Sequence, residues 1–262
     1  MKKTTALTMD HFLFSGETIG EVAILTFKEK PLLHVSNLEA KAALFNYLDR
    51  ISAHDEIKIL LIKSAAVKMT CTEYISYYKK LNSGYEREAV ERLYTTIDQF
   101  VLKMADLNKL VIHAESGNAI LLFMNISLAC DYRIVADNTV YQNPNIEMDI
   151  VPKGGGVFYL SKMLGTLAAA RVLFSREDMS AVQAQQLGIV DKVVPLEDLD
   201  RVVLEIAQEY AQFPSNYAIG IKKLLNFNLK ELSQYLQFED DLLRRQIHSC
   251  NLHNFGRLGG TL

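Results

Sequence analysis

The chain has 262 residues, of which 49% are hydrophobic, enough for one sizeable core with at most a small appended region. A net charge of -3 gives no broad basic footprint, so nucleic acid is not an expected partner. The three cysteines, Cys71, Cys130 and Cys250, are an odd and widely spaced set that fits a reducing cytoplasm better than a disulfide framework. No apolar run reaches about 18 residues, so no membrane span is expected. The opening MKKTTALTMDHF has lysines but no apolar stretch behind them, which does not support a secretory signal.

In chain order, Glu21–Phe27 reads as a buried strand. Ser36 followed by Glu39 predicts a capping box that opens a helix over LEAKAALFNYLDRI. Ile57–Ile62 is the next strand, followed by a polar, tyrosine-rich loop and a long amphipathic helix from about Glu86 to Met104. Leu110–His113 reads as a short strand, Ala119–Cys130 as a helix, and Tyr132–Ala136 as a further strand. This alternation predicts an α/β sheet joined by helical crossovers.

The last third changes character. Gly154–Gly156 precedes two short helical stretches, Ser180–Leu187 reads as a helix stopped by Gly188, and Ile189–Val194 is a short extended piece. From Leu196 onward the pattern is helical, broken at Pro214. The organisation expected is one continuous domain: an α/β core over 1–195 and a helical region over 196–262 that packs against a neighbour.

Three stretches carry a resemblance. ACDYRIVADNTVY, PNIEMDIVPKGGG and KMLGTLAAARVLFSREDMSAVQAQQLGIVDKVVP follow one another in the order and spacing of the enoyl-CoA hydratase/isomerase (crotonase) superfamily. The similarity runs from about residue 20 to about residue 250. It implies a crotonase-like ββα spiral core of the ClpP/crotonase type, and trimers or dimers of trimers built through the C-terminal helices. The implied ligand is an acyl-CoA thioester, with coenzyme A present only as part of the substrate and no separate cofactor. The shared chemistry uses two backbone N–H groups that stabilise the anion developing on the thioester oxygen. By position these are the N–H groups of Thr72 and Leu122.

The chain departs from the family where the chemistry is decided. The family's glycine triplet is Leu121, Leu122 and Phe123 here, and its "AGAD" is Thr70, Cys71, Thr72 and Glu73. Family hydratases hold water with two glutamates; the corresponding residues are Asn125 and Asn145. An amide can orient a water or a carbonyl but is no general base at neutral pH. General acid–base catalysis typically contributes roughly 100- to 10,000-fold. Ordinary hydratase activity is therefore not expected.

Glu73, Glu147 and Asp149 are the acids close enough in sequence to substitute. Their bland alternatives are a loop acid, a partner for a surface lysine and a turn cap. A lysine at Lys153, where some family members place an acid, is a further change. Lys28, Lys30 and Lys68 are candidates for the phosphates of coenzyme A. Cys71 is read as an inert thiol because no histidine is placed beside it. His113 is read as a packed histidine, and His248 and His253 lack ligand spacing, so no metal site is expected. Tyr74, Tyr77, Tyr78 and Tyr85 form either a lid or solvent-facing packing. Two functions follow: an enzyme using the oxyanion hole without the glutamates, or a non-catalytic acyl-CoA-binding, structural or regulatory subunit. A pocket beside Thr72 and Leu122 with an acid pointing in favours the first; Leu121 and Phe123 filling it favours the second.

Overall fold

Alternating apolar residues in four consecutive parallel strands explain why the central sheet is covered on both faces. The computed structural model describes residues 7–82 and 87–249. Strands β1 (Met9–Asp10), β2 (Phe14–Ile19), β3 (Val22–Phe27), β4 (Ile59–Lys63), β5 (Leu110–Glu115), β7 (Tyr132–Ala136) and β10 (Lys192–Val194) form one sheet in that spatial order. β1–β2–β3 is antiparallel, and every pairing from β3 to β10 is parallel. Val22, Ile24, Ile59, Leu61, Ile112 and Ile134 pack under helix α8 (Leu199–Tyr210) through Val203, Ile206 and Ala207. Ala23, Leu25, Leu60, Ile62 and Val111 face the larger core with α1 (Leu38–Ala53), α3 (Arg87–Asp106) and α10 (Leu229–Ser249). The period of two along each strand delivers successive residues to opposite cores.

A three-stranded sheet of β6 (Asn118–Ile120), β8 (Val140–Gln142) and β9 (Met179–Ser180) stands apart. Around it pack α4 (Leu121–Ser127), α5 (Gly156–Leu164), α6 (Thr166–Phe174) and α7 (Ala181–Gln186). The last helical region is α8, α9 (Ser215–Leu225) and α10. Leu232, Leu236 and Leu243 of α10 are buried in the larger core of the same chain.

Four expectations are corrected. Helix α1 is capped by Asn37 rather than Ser36, because the Asn37 Oδ1 accepts from the N–H groups of Glu39 (2.8 Å) and Ala40 (3.1 Å). The segment Ala119–Cys130 is not one helix: Ile120 is extended and pairs with Gln142 of β8, so α4 starts only at Leu121. The stretch after β4 is not all loop, since Cys71–Asn82 forms helix α2. Tyr74 and Tyr78 of α2 are buried against each other, with ring centroids 4.8 Å apart, and so form neither a lid nor solvent-facing packing. Tyr85, Cys250 and His253 lie outside the described residues.

Candidate active site

Helix α4 places Leu122 and Asn125 one turn apart, both buried. The first N–H groups of a helix have no acceptor within it, and both Leu122 and Thr72 sit in such a first turn, of α4 and α2 respectively. Asn125 is fully buried and donates from Nδ2 to the carbonyl oxygen of Lys153, at 2.9 Å. Its Oδ1 has no hydrogen-bond partner among the described residues. Gly156, at the start of α5, is the reason this amide fits: a Cβ there would overlap the Asn125 amide group.

Asn145 is also buried, in the turn before the glycine triplet. Its Nδ2 donates to Val151 O at 3.2 Å, and its own carbonyl accepts from Ile150 N at 3.2 Å. Asp149, three residues before Pro152, takes a left-handed conformation with φ 53°. Both positions where the resemblance would place an acid therefore hold amides that donate to main-chain carbonyls.

Beneath the glycine loop lies a charged cluster. Lys153 is buried, and its Nζ contacts Asp98 and lies 2.6 Å from Asp240 and 3.3 Å from Glu239. Glu239 also accepts from Gly154 N (2.8 Å) and Gly155 N (3.1 Å). Arg244 approaches Asp240 at 3.5 Å and makes a two-pronged pair with Glu91, at 2.9 and 2.8 Å. Burial, offset in part by Lys153, pushes the Asp98 carboxyl up to about 7, and burial also raises Glu239. Lys153 itself is raised: burial opposes its charge, but Glu239, Asp98 and Asp240 outweigh that. The sequence does carry a signal for this cluster. Glu239 and Asp240 interrupt the apolar stripe Leu232, Leu236, Leu243, where a solvated acid has no reason to be.

On the far side of α4 is a cavity of about 80 Å³. Its wall is almost wholly apolar, with Phe27, Leu32, Leu44, Ile97, Phe100 and Phe123 prominent, and no carboxylate lines it. Phe123 borders this space without closing it, while Leu121 turns into the core of the small sheet. Three polar residues converge at one part of the wall: Ser64, Lys68 and His113. Ser64 Oγ lies 3.2 Å from His113 Nε2. Lys68 pairs with the buried Glu115 at 2.5 Å and also donates to Ser116 O. Burial pushes the His113 imidazole down to about 4, against the pull of Glu115, so it is neutral at pH 7.

The remaining candidates are placed elsewhere. Glu73 accepts from the Thr70 N–H at 3.0 Å and pairs with Lys30 at 2.6 Å, and the hydrogen bonds from Lys30 and Thr70 hold its carboxyl below the usual range. Glu73 thus anchors the start of α2 and does not line the cavity. Glu147 and Asp149 are exposed and do not line it either. Lys28 pairs with Asp10 at 2.5 Å at the surface. Lys68, with a side chain only 4% exposed, is tied to Glu115 inside the fold, so it is not free to reach a phosphate. Cys71 Sγ lies 3.6 Å from Gln142 Oε1, and burial together with Asp178 and Glu147 raises its thiol. No group of three or more metal-ligating side chains occurs among the described residues, and none of the described helices is long and apolar enough to cross a membrane.

A parallel β3–β4–β5–β7–β10 sheet, with a small second sheet leading into α4, is the architecture of the crotonase fold. The solved enoyl-CoA hydratase of Bacillus halodurans superposes with a TM-score of 0.75 at 16% identity, covering 90% of this chain and 95% of that one. The sequence profile of the enoyl-CoA hydratase/isomerase family matches residues 77–255, and the chain belongs to that family. Among its relatives is the short-chain-enoyl-CoA hydratase of Clostridium acetobutylicum, 26% identical over 208 residues, which span 79% of this chain and 77% of that protein. The trans-2-decenoyl-[acyl-carrier-protein] isomerase of Streptococcus mutans is 21% identical over 204 residues, 78% of each chain.

Proposed function

We propose that this protein binds an acyl-CoA thioester in the manner of its family and does not hydrate enoyl thioesters by the two-carboxylate route. The observation that carries this reading is the use of Asn125 and Asn145: both are buried, and both amides donate to main-chain carbonyls. The N–H groups of Thr72 and Leu122, at two helix starts, are the proposed donors to the thioester oxygen. Enolate stabilisation of this kind suits isomerisation, decarboxylation or hydrolysis of a thioester, reactions for which the paired glutamates are not required. Coenzyme A enters as part of the ligand.

The test is purified protein against a panel of acyl-, enoyl- and malonyl-type CoA thioesters, read by thermal shift and by turnover. Stabilisation by at least one thioester is expected, with enoyl-CoA hydration at least about 10⁴-fold below ordinary enzyme rates of about 1–10³ s⁻¹. Hydration within that ordinary range overturns the reading, as does the absence of stabilisation by any thioester.

A second reading, a non-catalytic acyl-CoA-binding or regulatory subunit, is favoured by the lack of any carboxylate on the wall of the cavity of about 80 Å³, whereas the larger cleft lined by Asn145 carries Asp149 and Glu239 and favours the first. Stabilisation without turnover of any panel member selects it. In either case we propose that the chain assembles as a homotrimer or a pair of trimers. Leu167, Phe174, Leu224, Leu225, Phe227 and Phe238 are large apolar side chains left exposed on the C-terminal half. Sedimentation at one chain mass would sink the assembly. We place the protein in the cytoplasm, on the free thiols Cys71 and Cys130.

A further inference from the structure

Among the described residues only two other than glycine, Lys30 and Asp149, take left-handed backbone. Lys30 sits at φ 47° and ψ 55°. That region is unfavourable for a residue with a Cβ, and the following proline, Pro31, pushes its predecessor towards extended backbone. Three hydrogen bonds pin Lys30 there nonetheless. Its N–H donates to Val67 O (2.9 Å), its carbonyl accepts from Leu33 N (3.0 Å), and its Nζ donates to Glu73 Oε1 (2.6 Å). The ion pair gives the fold little in return: its side chains are 34% and 42% exposed, and pairs so open to water add little to stability. A strained residue kept without such a gain points to what it positions.

Lys30 positions the start of α2. Thr70 and Glu73 form a capping box there: Thr70 Oγ1 accepts from Glu73 N at 3.2 Å, and Glu73 Oε2 accepts from Thr70 N at 3.0 Å. Tyr74 N closes the first turn on Thr70 O at 2.9 Å. Between them, the N–H groups of Cys71 and Thr72 have no acceptor within the helix, and Thr72 is exposed. The box carries an electrostatic penalty. Hydrogen bonds from Lys30 and Thr70 hold the Glu73 carboxyl below its usual range, so it is ionised at neutral pH. A bare carboxylate at this helix end would repel a thioester oxygen gathering negative charge at Thr72. Lys30 supplies the compensating cation.

We propose that Lys30 and Glu73 are positioning residues for the thioester carbonyl. Glu73 sets the start of α2 and Lys30 neutralises it, so that the Thr72 N–H meets the oxygen with no uncompensated anion beside it. Lys30 thereby serves the carbonyl end of the ligand and not a phosphate. This rests on the thioester reading above.

Titration calorimetry with butyryl-CoA and with S-butyl-CoA, a thioether that lacks the carbonyl, isolates the contribution of that oxygen. Wild type is expected to bind the thioester about tenfold tighter than the thioether. Lys30→Met is expected to bring that ratio to within about twofold of unity. Lys30→Gly, which suits the left-handed backbone but lacks the cation, is expected to do the same. Lys30→Arg, and the double variant Lys30→Met with Glu73→Gln, in which the anion leaves with the cation, should return the ratio to within about threefold of wild type. Infrared difference spectra of butyryl-CoA labelled at the carbonyl carbon give a second readout. Binding should lower the carbonyl stretch in wild type and in the two restored variants, but not in Lys30→Met. A ratio that Lys30→Met leaves unmoved overturns the proposal. So does equal weakening of both ligands, the mark of a phosphate contact, or a loss that Glu73→Gln does not reverse. If wild type binds neither ligand, or binds the two alike, the thioester reading itself falls, and the role of Lys30 with it.

Discussion

Asp98→Asn tests the buried cluster beneath the glycine loop. Three carboxylates, of Asp98, Glu239 and Asp240, face one buried ammonium, that of Lys153. Burial raises the Asp98 carboxyl from 3.8 to about 7. Between those values the native state holds a proton that the unfolded chain has released. The Asp98 contribution to stability is therefore fully present below about pH 4 and is lost as pH rises through about 7. A shift of roughly three units corresponds to about 4 kcal/mol at most. Because the proton is shared with neighbouring acids, a few kcal/mol is the working figure. Glu239, also raised, adds to the same slope. His113 opposes it: its lowered value makes stability rise with pH between about 4 and 6.5. Comparing wild type with the variant cancels the histidine. Urea denaturation at fixed ionic strength from pH 5 to pH 8 is the assay. Asp98→Asn should gain on wild type by about 1–3 kcal/mol between pH 5 and pH 8, since Lys153 keeps Glu239 and Asp240. The reasoning is refuted if the two pH curves run parallel. It is refuted equally if the variant is weaker at pH 8 by the about 3–5 kcal/mol typical of a broken buried pair.

Further outcomes follow from the packing. Gly156→Ala should cost about 1–3 kcal/mol in chemical denaturation, because the new methyl meets the Asn125 amide. In a double-mutant cycle Asn125→Ala should recover part of that loss, and additive effects would show that the two residues do not interact. Lys68→Met, which leaves the fully buried Glu115 carboxylate without its cation, should lower stability by about 3–5 kcal/mol at pH 8. Adding Glu115→Gln should restore much of that, and no restoration would mean that lost packing rather than charge was responsible. Leu236→Ala in α10 should cost about 2–5 kcal/mol, measured by the shift in urea midpoint, if this helix is part of the main core in solution.

The strands were legible because runs such as IKILLI and YRIVA are apolar on both faces, which a parallel sheet covered on both sides demands. Helix α2 was not. TCTEYISYYKKL reads as polar and aromatic until Tyr74 and Tyr78 find Tyr94 on the next helix and α10, which lies far along the chain. The start of α4 is hidden for a similar reason: AILLFM runs apolar into the helix with no break, and only the pairing with Gln142 marks Ile120 as strand. Asn125 and Asn145 could be read as substitutions from the motif alone, yet their roles could not. The acceptor of Asn125, Lys153 O, is 28 residues away and only the fold brings it near, while that of Asn145, Val151 O, depends on how the local turn closes. The same holds for Lys68, whose fixed partner Glu115 is on the neighbouring strand β5. A lysine reads as a solvated charge in sequence, and three-dimensional proximity decided otherwise.

The placement of α10 also bears on how the chain is made. Phe14 of β2 and Leu243 of α10 belong to one core, so that core joins nearly the two extremes of the described chain. A ribosome releases residues 229–249 after every strand of both sheets has already emerged. Until then Gly154, Gly155 and Lys153 lack Glu239, and the apolar surface awaiting Leu232, Leu236 and Leu243 stays open. Contacts this distant in sequence close slowly, and uncovered apolar surface in the interval invites aggregation. Translation stalled before residue 229 should therefore yield a nascent chain that is protease-sensitive and bound by chaperones, with native resistance acquired only once the last helix is free to dock.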